Sequence, residues 1–106
     1  MNTRTTIRAA KRALQGLPAA ETRRDVIVSA GWWLTTQQSH EGDSVAVCYK
    51  NPSAGTDSER RTLITSCRRA LTDALSGDFK VEEHEGDFGA DCPTRLLGRH
   101  VHILDK

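Results

Sequence analysis

The chain has 106 residues, 37% of them hydrophobic, and a formal net charge of +1. That fits one domain with a limited apolar core, and it excludes a global electrostatic pull toward DNA or membrane. Three cysteines at irregular spacing exclude a secreted disulfide framework, and the longest apolar run, the five residues Ala30 to Leu34, is far too short to cross a bilayer.

The first expected element is a basic N-terminal helix over 1–17. Ile7, Ala10, Leu14 and Leu17 recur at helical spacing, with Arg8, Lys11 and Arg12 on the other side. The stretch is acid-free up to Ala20 and lacks a secretory leader's apolar core. It faintly resembles an organelle presequence, but an ordinary basic helix and a cytoplasmic protein are the expectation. Gly16-Leu17-Pro18 stops the helix.

Pro18 suits the first turn of a second helix, expected through Glu21 to about Gly31. Val26, Ile27, Ala30, Trp33 and Leu34 keep the helical beat, although Val-Ile-Val has strand chemistry and a strand from Val26 is the alternative. Strands follow at Trp32 to Gln38 and at Ser44 to Lys50, where Val45, Val47 and Tyr49 alternate with Ala46, Cys48 and Lys50. In a strand, Trp32 and Trp33 point to opposite faces.

A third helix opens with Thr56 and Glu59 at capping-box spacing. Its stripe is Leu63, Ile64, Cys67, Ala70, Leu71, Ala74 and Leu75, and Gly77 ends it. Strands are expected at Phe79 to Glu85 and at Arg95 to Leu104, the latter with Leu97, Val101 and Ile103 inward.

The tetrapeptide His-Glu-Gly-Asp occurs at 40–43 and again at 84–87, each copy followed by Ala and Cys at the same offsets. Both read as hairpin turns. With Arg23-Arg24 matching Arg68-Arg69 and Gly31 matching Gly77, the repeat suggests a duplicated helix–strand–strand unit. The alternative is that turns draw on a small alphabet. The expected fold is a single α+β domain: a three- to four-stranded antiparallel sheet with two to three helices on one face, in the order α-α-β-β-α-β-β. The two units would span 18–50 and 56–106.

Four kinds of site are compatible with this frame. A zinc site could draw on His40, Cys48, His84, Cys92, His100 and His102, since thiolate and imidazole suit a tetrahedral shell. No Cys-x-x-Cys is present, and exposed turn histidines with small half-buried cysteines are the blander reading; neither metal nor cofactor is expected. A nucleic-acid face could use Arg8, Lys11, Arg12, Arg61 and Arg68, but the chain has few aromatics and lacks a recognisable reader motif. No catalytic signature is present, so an enzyme is not expected.

Protein binding is the reading that remains. Trp32 or Trp33 would be the anchor, and the acids Glu82, Glu83, Glu85 and Asp87 would meet a basic partner. A homodimer would also serve so small a core. In size, in its Arg/Ala/Asp/Gly-leaning composition and in lacking a catalytic signature, the chain resembles accessory proteins of phages and other mobile elements. The resemblance implies an inhibitor or adaptor that occupies a host defence protein's surface, as anti-CRISPR proteins do.

Overall fold

The computed structural model describes residues 2–39, 42–52, 57–85 and 99–106. The elements are α1 (Thr3–Ala13), β1 (Glu21–Arg23), β2 (Val26–Ser29), β3 (Gly31–Ser39), β4 (Gly42–Lys50), α2 (Asp57–Leu75), β5 (Phe79–His84) and β6 (His100–Asp105). The expected α+β class holds. The main sheet is antiparallel with strand order β3-β4-β6-β5, and β1 and β2 form a separate two-stranded ribbon.

α1 is capped by Asn2, whose side chain accepts the Thr5 N–H, and it ends at Leu14 as the Gly16-Leu17-Pro18 signal requires. α2 places Leu63, Ile64, Cys67, Leu71 and Leu75 in the core, while Ala74 is exposed. Ala10 and Leu14 of α1 join the same cluster, against Val45, Val47, Val101 and Ile103 of the two central strands. Both helices therefore serve one face of the sheet. The Thr56 half of the expected cap lies outside the described residues, as do His40, Glu41 and the stretch from Gly86 to Gly98, which contains Asp87, Cys92, Arg95 and Leu97.

The second helix expected from Pro18 to Gly31 is instead the β1–β2 ribbon, with Arg23 opposite Val26 and Thr22 opposite Ile27. β-Branched Val26, Ile27 and Val28 lose side-chain freedom in a helix and fit a pleated ribbon. The reversal is made by Arg24 and Asp25, both at positive φ (51° and 66°), the backbone of a tight hairpin turn built here without glycine or asparagine. Consequently Gly31 is not a helix stop. A Cβ there would stand 2.3 Å from the carbonyl carbon of Ala19, so glycine is what lets segment 18–20 lie against β3, where Ala19 forms a parallel bridge with Trp32.

The topology keeps a two-fold character, because the return strands β4 and β6 pair at the centre and β3 and β5 flank them. Of the tetrapeptides, Gly42 and Asp43 begin the return strand β4 and His84 ends the outgoing strand β5, while His40, Glu41, Gly86 and Asp87 lie outside the described residues. Arg23-Arg24 lies at the ribbon turn and Arg68-Arg69 within α2, so that pairing falls away.

Candidate functional site

Trp32 and Trp33 separate as strand geometry demands. Trp32 packs against the main core beneath α1, and its indole N–H is shared between the carbonyls of Leu14 (3.2 Å) and Leu17 (3.0 Å). It is committed to holding the helix exit. Trp33 lies on the face opposite α1 and α2, half-buried against Ala46 and Cys48, and the Cys48 thiol contacts the Trp33 carbonyl at 3.6 Å. Two shallow clefts meet at Trp33. One of about 300 Å³ is lined by Lys11, Ala19, Ala20, Trp32, Trp33 and Leu34. The other, about 270 Å³, lies between Trp33 and the ribbon residues Thr22, Asp25 and Ile27, with Lys50.

The first cleft runs along an open sheet edge. Trp32 donates its backbone N–H to Pro18 (3.0 Å), and its carbonyl accepts from Ala20 (2.9 Å), so the peptide groups of Trp32 point away from β4. Backbone alternation turns those of Leu34 and Thr36 the same way. Among the described residues no strand covers them, because β3 ends the sheet; the Thr36 carbonyl accepts from the Thr35 hydroxyl at 3.4 Å.

The two sheet edges differ in chemistry. β3, Gly-Trp-Trp-Leu-Thr-Thr-Gln-Gln-Ser, carries no charge, whereas β5, Phe-Lys-Val-Glu-Glu-His, carries Lys80, Glu82 and Glu83. Charge on an edge strand discourages pairing with another strand, and its absence leaves the edge receptive.

The acids expected to meet a basic partner are largely engaged within the chain. Glu83 turns toward α2 and lies between Arg99 and Arg68, the latter at 3.5 Å, with its own side chain only 16% exposed. Arg99 also reaches Glu85 at 3.2 Å. Glu82 contacts Lys80 (2.8 Å) and His84 (3.0 Å), and those hydrogen bonds hold its carboxyl below the usual range. Of the basic residues, Arg8, Lys11, Arg12 and Arg61 are exposed, and Arg68 is drawn to Glu83.

On the face opposite α1 and α2, β5 and β6 bring three histidines together. His84 stands directly opposite His100, and Glu82 opposite His102. Ring centroids are 4.7 Å apart for His100 and His102, 5.0 Å for His84 and His102, and 6.0 Å for His84 and His100. Burial and the neighbouring imidazoles push His102 down to about 4. Cys48 is buried near Trp33, with its thiol pushed up by desolvation, and Cys67 sits in the α2 core, pushed up to about 12. Both thiols are therefore poor thiolate donors. Of the expected metal residues, the structure gathers only the three imidazoles; His40 and Cys92 lie outside the described residues.

The open edge at Leu34 and Thr36 is what sequence reasoning missed. The signal for it was the charge-free run Gly31 to Ser39. No helix of the described residues is long and apolar enough to cross a membrane. The chain matches no family model, no curated protein and no solved structure.

Proposed function

We propose that the protein is a small protein-binding module that takes up an extended segment of its partner as an added strand along β3. The carrying observation is the contrast between the two edges: β3 is uncharged and, among the described residues, uncovered beyond Trp32, while β5 is laden with charge. Added strands gain affinity from main-chain hydrogen bonds and specificity from pockets for alternate side chains. Here the peptide groups of Leu34 and Thr36 would supply the first, and the cleft bordered by Trp33 and Leu34 the second. The partner is a protein with an exposed strand or an unstructured segment of alternating apolar residues. A second copy of the chain, pairing β3 with β3, is the homodimeric form of the same mode.

The test is selection from a displayed random-peptide library by the wild-type chain, with Thr36→Pro as the control. Proline at Thr36 removes an outward N–H while leaving the β3–β4 ladder its own donors. Enriched peptides of alternating apolar pattern that lose at least tenfold in affinity for Thr36→Pro support the reading. No enrichment, together with a strict monomer, or peptides that bind both forms equally, would remove it.

A further inference from the structure

We propose that His84, His100 and His102 bind one imidazole-preferring transition-metal dication of the Zn²⁺ class, on the face of the sheet opposite the helices. This rests on residues separate from the β3 edge and stands independently of strand docking.

The placement follows from strand periodicity. His100 and His102 are two apart on β6 and project from the same face, while His84 projects beside them from β5, in register with His100. Ala46, opposite His102 on β4, adds almost no bulk on the other side. A zinc–nitrogen bond of about 2.0–2.1 Å puts a ring centroid about 3.2 Å from the ion, so three imidazoles on a tetrahedral ion have centroids about 5 Å apart. The observed separations of 4.7, 5.0 and 6.0 Å bracket that value.

Among the described residues, donor atoms are not already gathered around one point. With the centroids so spaced, binding requires the rings to turn about their side-chain torsions, His100 and His102 from buried positions and at the expense of contacts they now make. Glu82, 3.0 Å from His84 Nε2, leaves Nδ1 of that ring for the metal, and a carboxylate commonly stands behind a ligating histidine in this way. The same carboxylate contacts Lys80, which competes for it. An all-imidazole set selects against Mg²⁺ and Ca²⁺, which take oxygen ligands.

The full chain, stripped with chelator, would be titrated with ZnCl₂ and separately with CoCl₂. The expected result is one equivalent bound, a rise in melting temperature that saturates at that ratio, and visible absorption from tetrahedral Co²⁺. His84→Gln should weaken binding at least a hundredfold. The His84 side chain is 50% exposed, so the variant should keep the wild-type far-UV circular dichroism. Glu82→Gln should weaken binding roughly tenfold. Absence of stoichiometric metal would overturn the proposal. So would a folded His84→Gln protein that binds zinc as the wild type does, because the ion would then sit elsewhere, on thiols for example.

Discussion

Gly31 and Ala19 lie against each other with no room for a side chain between them: a Cβ on Gly31 would lie 2.3 Å from the Ala19 carbonyl carbon and 2.4 Å from the Pro18 carbonyl oxygen. This contact decides where β3 is covered and where it is open. Segment 18–20 takes the outward hydrogen bonds of Trp32 and then leaves, so among the described residues no strand pairs with the edge from Leu34 onward. Gly31→Ala should force the two backbones apart and destabilise the fold by about 2 kcal/mol or more. Chemical denaturation would measure the loss. Wild-type stability in that variant would mean that the contact is looser than described.

The ribbon turn stores strain. Arg24 and Asp25 both occupy the left-handed region, which disfavours residues bearing a Cβ. Replacing them together with Asn-Gly should stabilise the protein by about 1 kcal/mol, read as a higher denaturation midpoint at unchanged slope. A loss of stability would show that the Arg24 or Asp25 side chain contributes more than the turn costs.

Glu83 and Glu82 are neighbours with different roles. Glu83 is enclosed between Arg68 and Arg99, whereas Glu82 sits on the wet side with Lys80 and His84. Glu83→Ala should cost about 1–2 kcal/mol, because two arginines lose a shielded partner, and Glu82→Ala less than about 0.5 kcal/mol. Equal effects, measured by urea denaturation, would contradict this division.

The Cys67 thiol is neutral in the folded core and stays so up to about pH 12, whereas the unfolded chain ionises it near 9.0. Its folded pKa is the higher of the two. The contribution is therefore complete below pH 9 and drains away as pH rises toward 12. Stability measured across that range should fall less steeply in Cys67→Ala. In the native protein at pH 8, Cys67 should react with thiol reagents only as fast as the chain opens.

Much of the fold was legible because its elements follow a single period. The α2 stripe from Leu63 to Leu75, the alternation Val45–Val47–Tyr49 and the opposite facing of Trp32 and Trp33 all read directly from spacing. Residues 18–31 misled because Val26, Ile27 and Ala30 fit a helical repeat, while the Arg24-Asp25 turn lacks the glycine or asparagine that normally announces a hairpin. The histidine cluster was half legible. Alternation puts His100 and His102 on one face, but the arrival of His84 depends on the β5–β6 register, which no local pattern encodes. The repeated tetrapeptide pointed to a two-fold character that the strand order has.

Amide hydrogen exchange, resolved residue by residue in the dilute protein, addresses the open edge most directly. Trp33 and Thr35, bonded into the β3–β4 ladder, should exchange slowly, while Leu34 and Thr36 exchange near the rate of an unstructured chain and slow down once a strand-forming peptide is added. Protected Leu34 and Thr36 amides in the free, dilute monomer would contradict the account, for the edge would then already be occupied.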